Sequence, residues 1–373
     1  MKAKRRFVVL GGAGTIGRVV VRDLFESCPE NNIVVADYNE PLAQSLAKSL
    51  SAKGGSASGG KDNRVQAKFA DARQLKDLVN LLNGQNVVIN CLQHTFNLTV
   101  MEAALCAETH YVDLGGLFSY TRKQLRLNKK FQNAGLTAVI GMGCSPGITN
   151  VLAAYAAGCL NKIHSIKIRV GSKDFNPSPT GKFYLPYSAQ TIIEELTLKP
   201  WVFRGGKFQQ IMPRTGWEHT LFPEPLGKVW TLWTRHSEIA TLPLSLKHKG
   251  LKYCDFKVGF DREFVEEVMT RLKAGWTIKN FNALVGTPDK PNDYEVSRVI
   301  VDDMIVDCHA KAKPEWQASA GDIDTACPPS IVAQMIVDGV IDQAGVYPPE
   351  IAVPIQPFFA ELKKRGLEIK ISR

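Results

Sequence analysis

Long apolar runs are missing from this chain. No stretch of its 373 residues approaches the roughly 20 apolar residues a membrane span needs. The longest candidate, Val151 to Leu160, is short and alanine-rich and reads as a buried helix. Cysteine occurs eight times, but never as C-x-x-C and never with histidine at zinc-like spacing, so reduced thiols and no metal site are expected. The basic residues are not interleaved with aromatics, and no nucleic-acid motif is present. The net charge of +10 therefore reads as solvated lysine and arginine, with small clusters at Lys2–Arg6, Arg122–Lys130 and Lys363–Arg365. Basic residues before an apolar run mimic a signal peptide at the N-terminus, but a glycine-rich turn interrupts the run too early. A cytoplasmic enzyme with no membrane or nucleic-acid partner is expected.

What is present is an ordinary globular composition, 45% hydrophobic and 22% charged, at a length that suggests two domains. The organising stretch is Arg6 to Asp37. An apolar run, Phe7 to Leu10, runs straight into Gly12-Ala13-Gly14-Thr15-Ile16-Gly17, which satisfies G-x-G-x-x-G. Apolar positions at Val19, Val20, Leu24 and Phe25 start a helix, and a second apolar run, Ile33 to Ala36, ends in Asp37, 20 residues after Gly17. This order is the dinucleotide-binding fingerprint. Gly12 permits the turn, Gly14 lets a pyrophosphate approach the backbone, and Gly17 lets the helix pack on the strand. The amides opening the helix, at Thr15 and Ile16, would face the phosphates. Asp37 can accept bonds from the adenosine ribose hydroxyls and would repel a 2′-phosphate. No arginine adjoins it in sequence, so NAD is favoured over NADP.

The strand–helix alternation continues. Strands are expected at Val65 to Ala70, Asn86 to Leu92, Tyr111 to Gly116 and Leu136 to Met142, and helices at Glu40 to Leu50, Arg73 to Asn83, Phe96 to Glu108 and Thr121 to Ala134. Ser51 to Asn63 reads as a glycine/serine-rich surface loop. Six strands in this pattern make a doubly wound parallel sheet of Rossmann type. Asp71 can reach the adenine amino group or cap the helix after it. Leu92 and His94, at the end of the fourth strand, fall at the topological switch where the nicotinamide half rests. After about Asn161 the character turns to α+β, with aromatic strands (Trp230, Trp233) that could supply a dimer face. A proline-introduced helix, Ser330 to Asp342, is the candidate for a return to the first domain. The expected domains are 1–149 with a return segment at about 326–373, and 150–325 for substrate binding and dimerisation.

Taken together, GGAGTIGRVVVRDL, NLTVMEAALCAETHYVDLGG, GMGCSPGITN, SAQTIIEELTLKPWVFRGGK, TRHSEIATLP and PPSIVAQMIVDGVI resemble the saccharopine dehydrogenase-like family, most of all its lysine 6-dehydrogenase branch. The resemblance implies a homodimeric, NAD(P)-dependent oxidoreductase with a discontinuous Rossmann domain. Its substrate would be an amino acid, oxidised at a C–N bond. Oxidative deamination of the lysine ε-amine is the leading expectation. Saccharopine or carboxynorspermidine chemistry is the alternative, as is a non-catalytic NAD-binding protein of the same fold.

Hydride leaves a carbon bearing nitrogen only if that amine is neutral, so a base must take a proton. Asp113, ending the fifth strand, is the first candidate. It could instead anchor a substrate ammonium, or be satisfied by amides of the adjoining glycine turn. His94 could relay protons or cap the following helix. Arg235 could hold a substrate carboxylate bidentately or sit in a surface ion pair. His236, in the H-S-E-x-A-T pattern the resemblance highlights, is assigned to substrate binding. Cys144 reads as a buried, inert thiol. A second substrate carboxylate would call for a further cation, with Arg204 and Arg214 as candidates.

Overall fold

A computed structural model describes residues 5–53, 63–176, 183–286 and 288–373. The chain divides into two compact units. The first contains Met1–Val151 and Asp324–Arg365, the second Leu152–Ile323 and Gly366–Arg373. Most of the expected loop Ser51–Asn63 lies outside the described residues, although Ser51 to Lys53 complete the helix Glu40–Lys53.

The first unit is built on strands β1 (Arg5–Leu10), β2 (Asn31–Asp37), β3 (Val65–Phe69), β4 (Val87–Asn90), β5 (His110–Asp113) and β6 (Thr137–Val139). Between β6 and the strand that joins it in this sheet lie those of the second unit. They are β7 (Ser165–Asp174), β8 (Trp201–Arg204), β9 (Lys207–Gln210), β10 (Glu218–Leu221), β11 (Lys228–Trp233), β12 (Tyr253–Gly259), β13 (Asp293–Val301) and β14 (Met304–Lys311). The joining strand is β15 (Gly345–Tyr347), and β16 (Glu368–Ser372) ends the chain. The first sheet has the order β15-β6-β5-β4-β1-β2-β3, parallel throughout, so the six expected strands are present and a seventh is added. Its central strands are uninterrupted apolar runs because helices cover both faces of a parallel sheet; Phe7, Val8, Val9, Val87, Val88 and Ile89 are all 0% exposed.

The order reverses at β1, whose neighbours are β2 and β4. The carboxyl ends of β1 and β4 therefore flank the crevice where ligands of such sheets bind. The fold class read from the sequence, a Rossmann-type α/β unit with a second mixed unit, is what the structure shows.

The second unit carries a nine-stranded mixed sheet, β10-β11-β12-β7-β13-β14-β16, with β8 attached to β12 and β9 to β8. Helices Ala189–Thr197 and Arg262–Lys273 pack Ile192, Leu196, Val265 and Val268 against it. Two expectations need correction. The chain end does not stay with the return segment, because β16 pairs antiparallel with β14 in the second sheet. The helix expected from Ser330 instead starts at Ala320 and runs through Pro328 and Pro329 to Val337. Its start is set by a reciprocal cap, Asp322 N donating to Ser319 Oγ (3.1 Å) and Ser319 N to Asp322 Oδ2 (2.9 Å). Two internal prolines weaken a helix, but Ala326, Cys327, Ser330, Val332 and Ala333 are wholly buried and hold this one by packing.

Candidate active site

In the first unit the strand–turn–helix is formed as expected. Gly11 takes φ +68° to turn the chain out of β1, and Gly14 N-caps helix Thr15–Ser27. A Cβ on Gly17 would overlap the Gly11 carbonyl, and one on Gly12 would lie 2.8 Å from Val9 O. Both glycines are therefore demanded by packing. Gly14 differs. A Cβ there would meet only Gly11 O, at 3.2 Å, and would otherwise project into open space above the loop. The first-turn amides from Thr15 to Gly17 lack intrahelical acceptors by helix geometry. This is a cradle for an anion, and it fits a dinucleotide pyrophosphate.

Asp37 ends β2 with Oδ2 accepting from Ala13 N (3.0 Å) and Oδ1 from Asn39 N (2.9 Å), which ties this acid to the glycine loop. Asp71 follows β3 and accepts from Arg73 N (3.0 Å), Nε (2.8 Å) and Nη2 (2.7 Å). The Arg73 bond lowers the carboxyl pKa. Asp71 is thus occupied chiefly by Arg73, and the helix begins later than expected, at Leu75. No arginine adjoins Asp37 in sequence, yet the fold brings one close: Arg73 Cζ lies 5.5 Å from the centre of the Tyr38 ring.

At the end of β4, Leu92 N donates to Asn90 Oδ1 (3.2 Å), and the His94 ring meets Tyr120 edge-on at 4.8 Å. His94 opens a single 3-10 turn, His94–Phe96, ahead of helix Asn97–Cys106. Asp113 is fully buried. It accepts from Gly115 N (2.8 Å), Gly141 N (2.6 Å), Tyr111 OH (2.8 Å) and Gln124 Nε2 (2.5 Å). Burial raises its pKa, and these donors hold the rise back. A carboxylate with this many protein donors and no exposure anchors the turns around it; the geometry is not that of a base. Asn90 and Asn97 extend the network, Asn90 Nδ2 donating to Asn97 Oδ1 at 3.0 Å. The alternative reading of Asp113, an acid satisfied by glycine-turn amides, describes its surroundings.

The second unit holds a different constellation. His236 Nε2 lies 2.8 Å from Glu195 Oε1, and Nδ1 lies 3.5 Å from Glu238 Oε2. Tyr187 OH donates to Glu195 Oε2 (2.6 Å), and the His236 ring stacks on Phe256 at 3.6 Å. Burial disfavours the charged ring, but Glu238 and Glu195 outweigh it and push the pKa up to about 9. Around this core, Thr234 Oγ1, Arg235 Nε and Ser237 Oγ are buried without a hydrogen-bond partner among the described residues. Burial lowers the Arg235 pKa, with Glu194 opposing. Such unpaired polar groups are costly, and their concentration in one short segment makes it a candidate ligand site.

His236 and Arg235 were read from sequence; Glu195, Glu238 and Tyr187 were not. Both glutamates lie in SAQTIIEELTLKPWVFRGGK and TRHSEIATLP, so the signal was their presence beside the picked residues. Arg214 Nη1 is engaged by Leu196 O (2.7 Å), and Arg204 stacks on Trp233 (4.9 Å). Neither is described beside His236. Trp233 Nε1 donates to buried Asp255 (2.7 Å), and Trp230 stacks with His219 (3.6 Å). All eight cysteines are free, Cys144 among the buried ones.

Comparison with known proteins bears on the fold. Residues 7–139 match the saccharopine dehydrogenase NADP binding domain family. That stretch, most of the first unit, is similar to the family's dinucleotide-binding domain. Carboxyaminopropylagmatine dehydrogenase of Synechocystis is 25% identical over 96% of both chains. Carboxynorspermidine synthase of Vibrio cholerae is 26% identical over 68% of this chain and 63% of its own. Two solved structures share the fold of this chain. Saccharopine dehydrogenase (L-Glu forming) of Saccharomyces cerevisiae has a TM-score of 0.72 at 17% identity, covering 99% of this chain and 100% of its own. Homospermidine synthase of Legionella pneumophila, solved with NAD, has a TM-score of 0.71 at 15% identity, covering 99% and 92%. A nicotinamide dinucleotide is the cofactor the first unit fits.

Proposed function

We propose that the protein is an NAD(P)-dependent oxidoreductase acting on a C–N bond of an amino compound that carries both an ammonium group and a carboxylate. The carrying observation is the Thr234–Glu238 segment. It offers unpartnered donors at Thr234, Arg235 and Ser237 beside the acceptors Glu195 and Glu238. Donors suit a carboxylate, and buried acceptors suit ammonium groups. The whole-length likeness to an enzyme named for carboxyaminopropylagmatine supports a carboxylated, polyamine-like substrate over lysine. The carboxynorspermidine-type alternative of the sequence reading therefore becomes the preferred one, and oxidative deamination of lysine the second.

A bound nicotinamide supplies the hydride acceptor or donor. Gly14 and the first amides of helix Thr15–Ser27 would hold the pyrophosphate, and Asp37 would hold the adenosine ribose. In the second unit, His236 is charged at neutral pH and donates a proton rather than accepting one. Glu195 and Glu238 orient the ring, and their carboxylates are the groups an amine would approach. Tyr187 fixes Glu195 through its hydroxyl. Asp113 supports the strand ends and moves no proton. Asp37 favours NAD. A homodimer remains part of this proposal and is tested by light scattering against the 41.1 kDa chain mass.

Calorimetric titration of the cofactor-loaded protein tests the substrate reading. Carboxynorspermidine should bind at least about tenfold tighter than norspermidine, since a charge-assisted bond contributes roughly 1.5–3 kcal/mol. Arg235→Ala should remove that preference. Equal affinity for the two ligands in the wild type would sink the proposed role of the segment.

A further inference from the structure

The adenosine end of the first unit carries more than Asp37. Tyr38 and Phe69, at the carboxyl ends of β2 and β3, are 65% and 54% exposed, with ring centres 5.6 Å apart. Large aromatics standing in water beside a nucleotide cradle have no packing reason to be there. Arg73 lies against the Tyr38 ring at 5.5 Å, completing a row of planar groups. Its guanidinium is held bidentately, Nε to Asp71 Oδ1 (2.8 Å) and Nη2 to Asp71 Oδ2 (2.7 Å). The Arg73 side chain is 64% exposed and that of Asp71 15%. A bidentate arginine next to the residue that follows the ribose acid is the group a 2′-phosphate would recruit. Asp71 already fills its fork.

We infer that Asp71 is a cofactor-selectivity residue, which keeps Arg73 paired and unavailable to a 2′-phosphate. Discrimination then has two parts. Asp37 repels the phosphate directly, and Asp71 withholds the cation that would compensate. The three side chains Asp37, Asp71 and Arg73 sum to one negative charge; neutralising Asp71 brings the sum to zero and frees the guanidinium. An exposed ion pair of this kind is weak in water, so the arrangement can be reversed by a single substitution. The inference rests on the dinucleotide reading of the first unit and concerns which dinucleotide is preferred.

The test is binding, followed by the fluorescence of NADH and NADPH titrated with wild type, Asp71→Asn, and the double variant Asp71→Asn/Arg73→Ala. Asparagine at 71 can still accept from Arg73 N, so the turn is retained, and circular dichroism checks this. Asp71→Asn should tighten NADPH by about tenfold or more with NADH little changed, the range for a charge-assisted bond. The double variant should lose that gain. An unchanged NADPH-to-NADH ratio in Asp71→Asn overturns the inference, as does a gain that survives removal of Arg73. Failure of the wild type to bind either nucleotide would overturn the dinucleotide reading itself and the selectivity role with it.

Discussion

Asp113 was read in the sequence as a candidate base and His236 as a substrate-binding residue, and their surroundings separate them. Asp113 was found because it ends an apolar strand before two glycines, but strand position does not reveal how many donors converge on a carboxylate. Tyr111, Gln124 and the amides of Gly115 and Gly141 come from four places along the chain. Asp113→Ala leaves these donors buried without an acceptor and should cost about 3–5 kcal/mol in urea unfolding. A base role would instead appear as lost turnover at unchanged stability.

His236 has the opposite character. Its pKa is raised above the ordinary 6.5 to about 9. Its contribution to stability is therefore complete below about pH 6.5 and lost as pH rises through 9. Unfolding free energy should fall by roughly 3 kcal/mol across that window, and His236→Gln should flatten the profile. An equally steep fall in the variant would show that another group titrates. The ring was legible through its motif, but Glu195 is 41 residues away in sequence and was not.

Among the elements, those governed by local rules were the readable ones. Buried parallel strands are apolar runs, and the glycine turn has a fixed spacing, so β1 to β6 and helix Thr15–Ser27 fell close to their expected places. The single helix expected over Thr121–Ala134 is two, Phe118–Leu125 and Asn128–Asn133. Helix Ala320–Val337 was misplaced because Pro328-Pro329 is a strong local stop signal that tertiary burial overrides. The correct start signal, Ser319-x-x-Asp322, was present. Ser319→Ala should lower stability by about 1 kcal/mol, the usual effect of losing a cap. No change in thermal unfolding would mean that packing alone sets this helix start.

For the whole molecule, sequence periodicity indicated two domains and a returning segment but not what fixes the return. In the first unit Arg365 Nε donates to Asp23 Oδ1 (2.8 Å) and Oδ2 (2.9 Å), 342 residues apart, and Ser330 Oγ adds a bond to Asp23 Oδ2 (2.6 Å). Both ionic side chains are buried, at 7% and 4% exposure. Arg365→Ala strands a buried carboxylate and should destabilise by about 3–5 kcal/mol, read by urea unfolding. Among the described residues no helix is long and apolar enough to cross a membrane.

The central claim joins a dinucleotide cradle to a site for a doubly charged amino compound, and absorbance at 340 nm tests it directly. NAD and NADP would be assayed with carboxynorspermidine, carboxyaminopropylagmatine, saccharopine and lysine. The account predicts reduced cofactor with a carboxylated polyamine, faster with NAD, and little with lysine. Turnover of lysine alone would contradict the substrate assignment, and silence with every compound despite tight NADH binding would contradict the assignment of an enzyme.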